Sequence, residues 1–72
     1  MFINLPDGTQ LQIEVVPRYQ ISELKSIIHD RSGLSMGDHV ILYKGQMPLD
    51  DKTLMDTGIV DRSEIDIKRK HR

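Results

Sequence analysis

Apolar residues alternate near both ends of this chain and recur at helical spacing in between. Met1, Ile3 and Leu5 share one parity, and beyond Pro6-Asp7-Gly8 the residues Leu11, Ile13 and Val15 share another. Period two on both sides of a Pro-Asp-Gly reversal predicts a β-hairpin, with Gly8 supplying the positive φ of a tight turn. Gln10, Gln12 and Glu14 fall on the opposite, solvated face, and Phe2 is an outward exception. Pro17 cannot donate to a ladder and is expected to close the second strand. Ile21, Leu24 and Ile28 then recur at three and four residues, with Glu23, Lys25 and Asp30 between them, which predicts a short amphipathic helix. Arg31 falls in its last turn and Gly33 is placed for a left-handed cap. At its start Ser22 is the better cap by chemistry, although the buried stripe already includes Ile21.

After a loop through Ser35, Met36, Gly37 and Asp38, Val40 to Tyr43 reads as a strand, with Ile41 and Tyr43 on one face and Val40 and Leu42 on the other. Lys44-Gly45 makes a turn. Residues 46–61 read as turns with one helical turn around Leu54 and Ile59, and Ile65 and Ile67 alternate with Glu64, Asp66 and Lys68 in a last half-buried strand. The order ββαββ, with one main helix packed on the strands, predicts an α+β domain. Its expected core is Ile3, Leu5, Leu11, Ile13, Val15, Ile21, Leu24, Ile28, Leu34, Ile41, Tyr43, Leu54, Ile59, Ile65 and Ile67, each on the face its period buries.

Seventy-two residues make one domain with a small core. There is no cysteine, so packing alone must hold it, and no apolar run approaches the ~18 residues of a membrane helix. The expectation is a monomeric, soluble intracellular module, cytoplasmic and/or nuclear, with no membrane partner. The net charge of −1 hides an asymmetry: all eleven acids lie before Lys68, whereas Lys68, Arg69, Lys70 and Arg72 form a basic end. Residues 70–72 read as a basic tail or the start of a linker following a domain over 1–69. Those four basic residues are the candidates for contact with RNA or DNA phosphates, although no aromatic platform accompanies them.

No enzyme is legible. Asp56-Thr57-Gly58 is the tripeptide of aspartic proteases, but those need two such aspartates sharing a proton. Its place in a turn suits a plainer reading, in which Asp56 caps a helical turn and Gly58 takes a positive φ. His29, His39 and His71 have neither a partner at i+4 nor an acidic cluster, and no serine carries an elbow motif, so neither metal nor cofactor is expected.

The hairpin ending in Val15-Val16-Pro17, the run Ile21 to Ile28, Ser32-Gly33-Leu34, Leu42-Tyr43-Lys44-Gly45, and above all Asp50 to Ile59 together resemble the ubiquitin family. The likeness runs from Met1 to about Arg69 and implies the β-grasp fold, a mixed sheet wrapped over one helix. It also implies a partner-binding face on the open side of the sheet. Leu42 takes the third-strand position of that face, with Val40 beside it. Asp66 and Lys68 stand where ubiquitin has a histidine and a valine, and the hairpin loop is two residues shorter and lacks an apolar tip. Lys44 and Gln46 fall at the rim. Gln46 and Asp61 occupy the two positions most used for ubiquitin chains, and Lys25 is implied to pair with Asp50.

Conjugated members end in an exposed diglycine. Here Lys68-Arg69-Lys70-His71-Arg72 occupies that stretch and no Gly-Gly pair occurs upstream, so a covalent modifier is the least favoured class. The expected function is a non-catalytic, non-conjugating interaction domain within a larger protein. It would dock onto ubiquitin- or proteasome-pathway proteins or onto a neighbouring domain of the same chain. Nucleic-acid binding is the alternative.

Overall fold

The computed structural model describes residues 1–60 and 62–70. Four strands, β1 (Phe2–Asn4), β2 (Gln10–Gln12), β3 (His39–Leu42) and β4 (Glu64–Arg69), form one sheet in the order β2-β1-β4-β3. Helix α1 (Ile21–Ser32) lies between β2 and β3 in the chain, and the single turn α2 (Leu54–Thr57) between β3 and β4. β1 runs antiparallel to β2 and parallel to β4, so the sheet is mixed as expected.

The hairpin closes through Pro6-Asp7-Gly8. Leu5 N–H donates to the Thr9 carbonyl at 2.8 Å and Gly8 N–H to the Leu5 carbonyl at 3.1 Å. Thr9 N–H also donates to Asp7 Oδ1 at 2.9 Å, and this bond holds the exposed Asp7 carboxyl below its usual value. A lowered carboxylate pKa contributes stability that is present above the ordinary value and is lost as pH falls through the lowered one. The Thr9 amide resonance is therefore expected to titrate below the ordinary pKa of about 3.9, and not to titrate in Asp7→Asn. An inflection at or above the ordinary value would remove the bond from the account.

One sequence expectation about an element end is corrected, and one that the sequence left open is decided. The second strand stops at Gln12, well short of Pro17. The register places Met1 opposite Ile13, where Ile13 N–H still donates to the Met1 carbonyl at 2.9 Å. Ser22 does not cap α1. The N-cap is Gln20, without a side-chain bond. The first helical N–H groups are satisfied from far along the chain, Ile21 by the Lys52 carbonyl (2.9 Å) and Ser22 by that of Asp50 (3.2 Å). At the other end Gly33 takes φ 76°, and its N–H donates to the His29 carbonyl, as a left-handed cap requires.

Lys25 reaches the same 50–52 segment and pairs with Asp50 at 2.6 Å, the partner the family resemblance implied. The segment then enters α2 through a capping box. Asp56 N–H donates to Thr53 Oγ1 (3.1 Å) and Thr53 N–H to Asp56 Oδ2 (3.3 Å), so the aspartate of the protease-like tripeptide is engaged in a helix cap.

Between sheet and helix lies one core. Ile3, Ile13, Ile21, Leu24, Ile28, Ile41, Leu54, Ile59, Ile65 and Ile67 are buried in it, joined by Met1. Leu5, Leu11, Val15, Leu34 and Tyr43 are half-buried against it, as are Tyr19, Ile27 and Met36, which the periodicity did not assign to the core.

Candidate functional site

The candidate site is the sheet face turned away from α1. β4 lies between β1 and β3, and the register builds the face from cross-strand rows. Leu42 stands opposite Asp66 and Val40 opposite Lys68, so four of the six candidate residues form one block. Asn4 lies on the other side of Asp66, with Gln10 beyond it. Val40 and Leu42 are half-buried, whereas Asp66 and Lys68 are exposed.

The row through Asp66 is hydrogen-bonded. Gln10 Nε2 donates to Asn4 Oδ1 and Asn4 Nδ2 to Asp66 Oδ1, each at 2.9 Å. Gln10 and Asn4 form a non-hydrogen-bonded cross-strand pair, in which side chains approach most closely, and this brings their amides together. Both amides direct a donor toward β4, so the Asp66 carboxylate is held as an acceptor beside Leu42. The charged row Glu64, Asp66, Lys68 thus runs through the middle of the face and separates Phe2 on β1 from Val40 and Leu42 on β3. The apolar surface is a strip along β3 rather than a rounded patch.

Lys44 and Gln46 lie outside the block, at the end of the β3 hairpin. Lys44 and Gly45 both have positive φ, 54° and 79°, the pattern of a two-residue type I′ reversal. Gln46 exchanges main-chain bonds with Tyr43 across it (2.8 and 3.1 Å). The Lys44 ammonium lies 5.4 Å from the centre of the Tyr43 ring, whose hydroxyl donates to the Gly58 carbonyl at 3.2 Å. The turn is therefore anchored to the body of the domain.

The basic end does not gather into one surface over its described part. Lys68 and Arg69 are successive residues of β4 and so leave on opposite faces. Arg69 lines a hollow with Leu5, Pro6 and Leu34, and Lys70 N–H donates to the Asp38 carbonyl at 2.9 Å. Arg72, the fourth candidate phosphate contact, lies outside the described residues, as do His71 and Asp61. His29 Nδ1 and His39 Nδ1 each meet a carbonyl at 2.8 Å, that of Leu34 and that of Ser35, so both nitrogens carry a proton and both rings brace the 33–38 connection. Among the described residues no group of three His, Cys, Asp or Glu could hold a metal ion.

Sequence reasoning did not find Asn4 and Gln10. Their outward parity was readable, but their contact with Asp66 needed the register of β1 on β4, a pairing between residues 62 apart in the chain.

Compared with protein-family models, the sequence matches the one described as the ubiquitin family over residues 1–72. No curated protein matches it.

Proposed function

The chain belongs to the ubiquitin family, and on that premise we propose that it is a non-catalytic docking domain. It holds a larger protein onto a partner through Val40, Leu42, Asp66 and Lys68, with Lys44 and Gln46 at the rim. The observation that carries this reading is the block itself: two half-buried apolar side chains on an outer strand, flanked by an exposed carboxylate and an ammonium. Apolar anchors give affinity, and the charges beside them decide between partners. The fitting partner is a ubiquitin- or proteasome-pathway protein, or a neighbouring domain of the host, met by a monomer in the cytoplasm and/or nucleus.

An ordinary ubiquitin receptor lays an apolar helix on this face and would have to desolvate Asp66 and Lys68, which is costly without partners for them. The test titrates the labelled chain with a single-helix ubiquitin-binding segment and follows amide resonances. The double variant Asp66→His with Lys68→Val is expected to bind at least about tenfold more tightly than the native chain, the equivalent of about 1.4 kcal/mol. The resonances that move should centre on Val40 and Leu42. Equal affinity for both chains, or shifts centred elsewhere, would contradict the reading.

A further inference from the structure

The middle row of the open face carries its charges in a fixed order. Glu64, Asp66 and Lys68 are alternate residues of β4, all exposed, and they read acid, acid, base at intervals of about 6.7 Å. Among the described residues the one ion pair joins Lys25 to Asp50, so none of these three charges is matched within the chain. Asp66 is also fixed in place. Asn4 Nδ2 holds its Oδ1 at 2.9 Å and is itself oriented by Gln10, which leaves Oδ2 to a partner. A carboxylate already held loses little freedom on taking a further donor. Phe2, half-buried, stands opposite Glu64 and sets an aromatic ring beside the first acid.

The same register restricts the shape of whatever covers the row. β4 lies between β1 and β3 and is laddered to both. A segment lying over it gains no main-chain bond from the sheet and must satisfy its own backbone, which an α-helix does and an extended segment does not. Helix positions four residues apart are about 6 Å apart along the axis, close to the interval between alternate residues of a strand. Side chains at three such positions can therefore stand over Glu64, Asp66 and Lys68 together.

We propose that the partner of this face is an amphipathic helix carrying arginine, arginine and glutamate at successive intervals of four residues, with apolar side chains beside them over Val40 and Leu42. The inference rests on the docking reading of the open face and names the partner's chemistry. One guanidinium pairs with Glu64 against the Phe2 ring and the next with the held Asp66 carboxylate, while the glutamate meets the Lys68 ammonium. A wholly apolar helix would leave three charges desolvated and unpaired, and an acidic one would set like charge against Glu64 and Asp66.

The test titrates the labelled intact chain with capped alanine-based helices of about sixteen residues, long enough to hold their turns in water. Each carries two arginines and one glutamate at intervals of four, and a leucine three residues after each of the first two charges. The orders Arg-Arg-Glu and Glu-Arg-Arg match the row in opposite helix directions, one with its leucines over β3 and the other over β1. Arg-Glu-Arg has the same composition and net charge but sets glutamate on Asp66 and arginine on Lys68. The better matched peptide should bind at least about tenfold more tightly than Arg-Glu-Arg, with shifts centred on Leu42 and Asp66. Exchanging the two charges, Asp66→Lys with Lys68→Asp, keeps the net charge and should reverse the preference. Equal affinity for all three peptides, with shifts on Leu42 that vanish in Leu42→Arg, would overturn the charge order and leave the docking face standing. Shifts centred elsewhere, or no binding at millimolar concentration, would overturn the proposal as well, and shifts centred elsewhere would take the docking face with it.

Discussion

Leu24→Ala is expected to lower the melting temperature by at least about 10 °C and to leave much of the chain unfolded at body temperature. Leu24 has no exposed surface and sits between Ile21 and Ile28 on the buried stripe of α1. Replacing a buried leucine by alanine costs about 2–5 kcal/mol, partly as lost transfer energy and partly as the cavity left behind. At roughly 0.05–0.15 kcal/mol per residue a chain of this length has only about 4–11 kcal/mol in all. The loss spreads, because a helix of 12 residues is marginal by itself and draws its stability from the face it packs. Its first turn also holds the 50–52 carbonyls, so loosening α1 releases the segment leading to Leu54. A circular dichroism melt decides the matter, and a shift of only a degree or two would mean that α1 is not packed as described.

Leu42→Arg is expected to weaken docking by about thirtyfold or more while leaving the melt nearly unchanged, the size of effect seen when one central anchor is lost. Leu42 is half-buried on the outer face, and the aliphatic stem of arginine can cover the same strand surface while its charge stays in water. A partner seated on Leu42 would instead meet an unpaired guanidinium. The measurement is clearest in the Asp66→His, Lys68→Val background, where the receptor helix binds tightly enough for the loss to be read. Retained affinity there would move the docking site off this face.

The two effects fall on opposite faces of one sheet, and the sequence anticipated both faces unequally. Ile3, Ile41, Ile65 and Ile67 were assigned to the interior by period two alone, because alternation fixes which side of a strand is buried. α1 was legible to within a residue, since its stripe and Gly33 are local signals. Its N-terminus was left open between Ser22 as cap and an earlier start that includes Ile21, for a physical reason. A side-chain cap can be read from neighbours, whereas carbonyls arriving from Asp50 and Lys52 have no trace near Gln20. Tyr19 and Met36 were missed similarly, for they lie in connections, where no period exists to assign a face.

On the open face, the resemblance to ubiquitin pointed to Leu42, Val40, Asp66 and Lys68, and the register brings those four together. Neither pattern nor resemblance disclosed the amide row from Gln10 through Asn4 to Asp66. The amino-acid order by itself determined the hairpin, the helix, its left-handed end and the inward set of each strand, because these follow from spacing over a few residues. Only the tertiary structure decided that β4 enters between β1 and β3, that Asp66 is held by Asn4, and that β3 becomes an outer strand. Periodicity states which way a side chain faces but not which strand lies beside it. That neighbour is chosen by burying the whole apolar set at once.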